Sequence, residues 1–330
     1  MWNRTLKIAT GFFLASLFTA ATSAGDPPNP GHRAVTGTVN YVEGQVALGS
    51  QSLDSKSVGS AAVGPGQSLT TGTGKAEVLL TPGVFLRLGD NSTVKMISAG
   101  LTNTEVEVDQ GEVTVEVAQI FPQNNLRVDE DGTRMQLLKR GFYEFNAAQN
   151  EVKVFDGKAL VEDGNQRTDV NGGHELALTA NAEIRAQKFE KKNGGDDLVD
   201  WSSLRSSYVA EANLDAAPLH VSSAGNGPEG WFGTGWYWDP WFVTYTFIPA
   251  NGILYSPFGW GFYSPIFVFD SPYFSGGPHQ FHHFALDFRT WGPGPHYYAG
   301  YTGAVHGYGT FHAGFTGGAP DAFWFAGEFH

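Results

Sequence analysis

Lys75-Ala76-Glu77-Val78-Leu79-Leu80-Thr81-Pro82-Gly83-Val84-Phe85-Leu86-Arg87-Leu88 decides the fold of the first half of this chain. Ala76, Val78 and Leu80 alternate with Lys75, Glu77 and Leu79; Pro82-Gly83 turns the chain; Val84, Leu86 and Leu88 resume the alternation. A period of two with one apolar face is the pattern of a half-buried strand, and glycine supplies the positive φ of a tight turn. The layout recurs around Gly111, with Val106 and Val108 before it and Val113, Val115 and Val117 after it. It recurs again around Gly157, with Val152 and Val154 before and Ala159 and Val161 after. Asp131-Gly132 and Asp156-Gly157 read as hairpin turns. From Val35 to Leu178 the expectation is all-β: short antiparallel strands stacked as a roll, a sandwich or a short solenoid.

Upstream, residues 1–24 read as a cleaved signal peptide. Arg4 and Lys7 charge its start, Ile8 to Ala21 is apolar, and Thr22-Ser23-Ala24 offers small residues for cleavage before Asp26-Pro27-Pro28. The apolar stretch is shorter than the ~20 residues that span a bilayer, and no later segment is long and apolar enough to cross as a helix. Residues beyond the leader are therefore expected in the periplasm or outside the cell. The chain has no cysteine, so no disulfide framework, thiol chemistry or lipid-modified N-terminus is expected.

Downstream, Lys188 to Asp197 is polar, contains Gly194-Gly195 and reads as a linker. Asp196 or Asp197 can cap a helix in which Leu198, Trp201, Leu204, Tyr208 and Ala212 form one apolar stripe, ending near Ala216-Ala217-Pro218. Linker and helix together occupy 188–217. Residues 231–270 then alternate aromatic runs with Pro and Gly turns, as in Gly235-Trp236-Tyr237-Trp238-Asp239-Pro240-Trp241, and suit a small β module. Residues 271–330 are rich in Gly, His and Phe and are expected to be a loosely ordered tail.

Composition narrows the function. The formal charge is −13, and Arg289 is the sole basic residue from Trp231 to His330, a span holding 32 aromatic side chains. Without a basic patch, nucleic acid and anionic lipid are not expected partners. No nucleophile elbow, zinc-protease motif or phosphate loop occurs, so the expectation is a protein that is not an enzyme and needs no cofactor. His279, His282 and His283 could meet on a metal, yet they lack a second ligand pair at structural spacing, and no metal is assigned. Trp236, Trp238, Trp241, Trp260 and Tyr263 are the candidate ligand-binding residues, because flat rings stack on sugar faces while Asp239 and Asn251 could bind hydroxyls. The alternative is that the same rings form the core of a module short of aliphatic residues. A third reading makes the aromatic tail outer-membrane strands, against its many Pro and Gly residues.

One family resembles the first half. Gly66-Gln67-Ser68-Leu69-Thr70-Thr71-Gly72, the strand pair quoted above, and Val108-Asp109-Gln110-Gly111-Glu112-Val113 resemble the turns and strand pairs of the FecR domain. Val154-Phe155-Asp156-Gly157-Lys158-Ala159 and Gly172-Gly173-His174-Glu175-Leu176 are similar to its closing repeats, so the resemblance covers roughly residues 35–180. It implies a periplasmic β domain of the kind found in iron-dicitrate sensing regulators, which meets a transport receptor and relays to a sigma factor. Only seven residues precede the apolar leader, so anti-sigma activity is not carried over, nor is iron or citrate binding. The expected role is an exported interaction, scaffold or sensor-like protein whose partner is an envelope protein or a cell-wall polysaccharide.

Overall fold

The computed structural model describes residues 34–178, 185–190, 196–220 and 233–268 in full, and only the backbone of 269–270, 300–304, 310–314 and 325–327. The leader, the residues 191–195 of the expected linker and the tail histidines other than His312 lie outside the described residues, as does most of the tail.

The first half is all-β. Its strands are β1 (Val39–Leu48), β2 (Gln51–Leu53), β3 (Ser68–Leu79), β4 (Val84–Leu88) and β5 (Thr93–Gly100). There follow β6 (Asn103–Gln110), β7 (Glu112–Val117), β8 (Leu126–Glu130), β9 (Thr133–Leu137) and β10 (Gly141–Asn146). The series closes with β11 (Glu151–Asp156), β12 (Lys158–Asp163), β13 (Gln166–Asn171), β14 (His174–Ala177) and β15 (Gln187–Lys188). All belong to one sheet in the order β13-β12-β9-β8-β6-β5-β3-β4-β7-β10-β11-β14-β15, with β1 and β2 on the other edge of β3. The long strand β3 pairs with β5 through Ser68–Thr70 and with β4 through Ala76–Leu79, so it bridges the two halves of the sheet. Inward residues from both halves, among them Val94, Val106, Val128 and Val161 facing Leu86, Val115, Phe145 and Val154, share one apolar core. The sheet is thus a roll.

Two of the glycine turns differ from the expected hairpins. Pro82-Gly83 and Asp131-Gly132 do close hairpins, β3–β4 and β8–β9. Gly111 and Gly157 do not: β6 pairs with β5 and β8 while β7 pairs with β4 and β10, and β11 and β12 likewise share no ladder. Both glycines carry the chain from one half of the roll to the other, with φ of 78° and 100°. Identical flanking alternation arises because both flanking strands face the same core. One further departure is the parallel pair β6–β8.

A long helix, α1 (Asp197–Leu219), follows, capped by Asp196, whose Oδ1 accepts from the N–H groups of Leu198 and Val199. It runs past the expected stop and takes Pro218 into its last turn. Two antiparallel hairpins come next: β16 (Gly235–Asp239) with β17 (Thr244–Ile248), and β18 (Ile253–Tyr255) with β19 (Gly261–Tyr263). A short α2 (Pro265–Asp270) follows, and the backbone of β20 (Gly300–Ala304), β21 (Thr310–Gly314) and β22 (Phe325–Gly327) forms a separate antiparallel sheet. Helix and hairpins pack on the outer face of β3, β4 and β7. Leu79, Phe85 and Ala118 of the roll share a second apolar cluster with Val209, Ala210, Trp236, Tyr245, Phe247 and Phe262. Each large side chain sealed there contributes about 1.5–3 kcal/mol.

Candidate interaction surface

The outer face of the roll is not purely apolar. Alternation that sends Leu86 and Leu88 inward sends Phe85 and Arg87 outward, beside Glu77 on β3 and Glu116 on β7. Arg87 donates from Nε to Glu77 Oε2 at 2.8 Å and from Nη1 to Glu116 Oε2 at 2.6 Å, with all three side chains fully buried. That trio carries one cation and two carboxylates. Arg205 of α1 supplies the second cation, donating from Nη2 to Glu77 Oε1 at 2.9 Å. Ser206 donates to Glu116 Oε1 at 2.8 Å, Ser202 bonds Thr114 at 2.8 Å, and Asn40 of β1 donates both to Glu77 and to the carbonyl of Tyr245. Charge neutrality offsets much of the cost of burying these ions, although Arg87 Nη2 and Arg205 Nε find no hydrogen-bond acceptor among the described residues. Burial raises the Glu116 carboxyl, whereas Arg205 and Arg87 hold that of Glu77 down against its own burial.

This arrangement turns α1 away from its expected orientation. The buried face keeps Leu198 and Ala212 of the expected stripe and adds Val209, Ala210, Ala216 and Ala217 together with four polar residues, Ser202, Arg205, Ser206 and Asn213. Trp201, Leu204 and Tyr208 of the expected stripe are only half-buried. Trp201 and Tyr208 join Tyr41 and Phe242 in a half-buried aromatic strip instead. Trp201 lies 5.8 Å from Tyr41 of β1; the Arg205 guanidinium stacks 4.3 Å over Tyr41 and 5.1 Å from Tyr208; Tyr208 meets Phe242 edge-on at 5.0 Å. Cation and rings attract through the ring quadrupole. The strip ends on the β16–β17 loop, where Trp241 is 73% and Val243 54% exposed. Asp239 shapes that loop by accepting from the N–H groups of Trp241 and Phe242 at 2.8 and 2.9 Å. Val243 adopts φ of 50°, a strained conformation for a β-branched residue. Roll, helix and hairpin all contribute to this surface.

The five aromatic residues singled out in the sequence do not share one platform. Trp236 is 7% exposed and packs edge-on against Phe85 at 4.9 Å and Phe247 at 5.9 Å, with Nε1 3.4 Å from the Leu80 carbonyl. Trp238 and Trp260 lean half-buried on that cluster, and Tyr263 packs near Ile248 and Val268. Trp241 alone among them is mostly exposed. Sequence reading missed Tyr41, Trp201 and Tyr208 as half-exposed neighbours, and Arg205 as the buried cation beneath them, because the helical stripe was assigned to a core. The signal available was Arg205, a charge lying between Trp201 and Tyr208 at helical spacing.

Residues 67–160 match the family described as FecR protein, a span running from the start of β3 into β12. The chain is also similar to two crystal structures described as "a putative anti-sigma factor" from Parabacteroides distasonis ATCC 8503. Each is 16% identical, with a TM-score of 0.34 over 42% of this chain and 64% of that one. The chain thus spans less than two thirds of those structures. No curated protein matches it.

Proposed function

We propose that this is an exported, non-enzymatic cell-envelope protein, acting in the periplasm or outside the cell as a scaffold or sensor-like component. Its FecR-like roll makes protein contacts, and the aromatic strip meets an envelope protein. The FecR match over 67–160 supports an interaction or sensing role, and the leader-like residues 1–24 support export. The observation that carries the contact surface is the set of half-buried rings, Trp201 on Tyr41 and Tyr208 on Phe242, bridged from beneath by Arg205 and ending beside the exposed Trp241. Half-exposed aromatics beside an arginine are the composition of binding hot spots.

The test is a pulldown from envelope extracts with the full chain, comparing wild type with Trp241→Ala and Trp201→Ala. A protein captured by wild type and lost from both variants supports the reading. Capture unchanged in both variants removes the strip as the contact surface. Co-sedimentation with purified cell wall, lost on the same substitutions, would replace the protein partner with a polysaccharide.

A further inference from the structure

At the start of α1 three carboxylates converge that the aromatic strip does not use. Glu112 opens β7 directly after the Gly111 crossing, and its backbone is pinned: Gly89 N and Ser92 Oγ donate to its carbonyl, and its N–H donates to Ser92 Oγ. Glu144 of β10 stands opposite Thr114 of β7, placing it diagonal to Glu112 on the outer face. Asp196, the cap of α1, completes the group, with one carboxylate oxygen from each residue within 4.8 Å of the others. Burial and a hydrogen bond to Asp196 lift the Glu112 carboxyl to about 9, so these two residues share a proton that a bound cation would displace.

The nearby cation does not satisfy them. Lys153 of β11 binds Glu144 Oε1 at 2.8 Å and Glu151 Oε2 at 3.1 Å. Glu144 Oε2 and Glu112 Oε1 are sealed from solvent and accept no hydrogen bond among the described residues. Glu144 is only 1% exposed, so its second oxygen is an orphaned acceptor in the interior. Buried polar atoms without partners are rare in folded proteins and call for an explanation such as an ion.

We propose that Glu112, Glu144 and Asp196 form a divalent-cation site that takes calcium. The donors are all carboxylate oxygens, the choice of hard cations, and their irregular spacing suits calcium better than the strict octahedron of magnesium. Burial grades from Glu144, buried, through Glu112, half-buried, to Asp196, exposed, which leaves a solvent side for entry and for coordinating water. A cation there would tie α1 to β7 and β10 at the point where the helix meets the roll.

The experiment uses the full chain stripped with a chelator, titrated calorimetrically with calcium chloride and, separately, magnesium chloride, with thermal melts of each. Expected are one equivalent of calcium bound, a raised Tm, and a weaker response to magnesium. Glu112→Gln and Asp196→Asn should each weaken calcium binding about tenfold or more. Asparagine also caps helices well, so Asp196→Asn keeps α1 formed. These two conservative variants decide the matter even if Glu144→Gln does not fold. The proposal is overturned by an absence of calcium binding at millimolar concentration, by binding undiminished in both variants, or by an equal response to magnesium.

Discussion

Arg205 Nη2 donates to Glu77 Oε1 at 2.9 Å, joining a helix to a strand 128 positions earlier in the chain. Glu77 receives Arg87 on its other oxygen, so one carboxylate links the outer-face arginine of the roll to the cation of α1, beside the Ser206–Glu116 and Ser202–Thr114 bonds. Removing the helical partner leaves a buried carboxylate undercompensated. Arg205→Ala is expected to cost about 3–5 kcal/mol in denaturant unfolding. The double variant Glu77→Gln/Arg205→Met should recover much of the loss, since an uncharged pair no longer needs compensation. A loss below about 1 kcal/mol in the single variant would show that the pair does not hold the layers together.

The roll was legible because its strands obey one rule: Ala76, Val78, Leu86, Leu88, Val113 and Val115 alternate, and all enter one core. Which strands pair was not legible. Gly132 and Gly157 both follow an aspartate between alternating runs, yet one closes a hairpin and the other crosses the roll. Local sequence encodes a reversal, and pairing is fixed by contacts distant in the chain. The orientation of α1 failed for a different reason. Its buried face needs Ser202, Arg205 and Ser206 because Glu77 and Glu116 wait beneath them, and no helical period reveals a charge on another element.

Those two kinds of glycine separate experimentally. Gly111 and Gly132 have nearly the same φ, 78° and 77°. A Cβ at Gly132 meets nothing within 4 Å, whereas one at Gly111 falls 2.6 Å from both the Asn91 carbonyl oxygen and Ser92 Cα. Gly132→Ala should therefore cost only the left-handed strain of about 1–2 kcal/mol. Gly111→Ala should cost clearly more, or prevent folding, because backbone cannot move aside as a side-chain tip can. Equal melting temperatures for the two variants would contradict the crossing geometry.

Glu130 ends β8 on the same side as the core residues Leu126 and Val128, and neither of its carboxylate oxygens has a partner among the described residues. Burial, reinforced by Asp131, raises its pKa from 4.5 to about 8. A folded-state value above the unfolded one means that stability is full below 4.5 and is lost as pH rises through about 8. The span is worth as much as about 5 kcal/mol. Glu130→Gln should match wild type near the acid end and exceed it in mildly alkaline buffer. Parallel stability–pH profiles for the two proteins would exclude Glu130 as the source.

Val243 holds its left-handed backbone in an exposed loop, where no burial offsets the strain. Val243→Gly should raise stability by up to about 1 kcal/mol, the relief of strain outweighing the extra freedom of the unfolded chain. If the variant is less stable, the side chain makes contacts that exceed the strain.

Trp236 and Trp241 lie five positions apart in one hairpin and separate the two roles of the aromatic segment. Trp236 fills the space between Phe85 of the roll and Phe247 of β17, so Trp236→Ala leaves a cavity between layers. That loss should cost about 3–5 kcal/mol. Trp241 lies at the exposed end of the strip, and Trp241→Ala should change stability by no more than about 0.5 kcal/mol. Loss of partner capture in a variant that melts like wild type would therefore report binding rather than unfolding. A large destabilisation by Trp241→Ala would instead mean that its ring is packed in the folded protein, and would withdraw it from the contact surface.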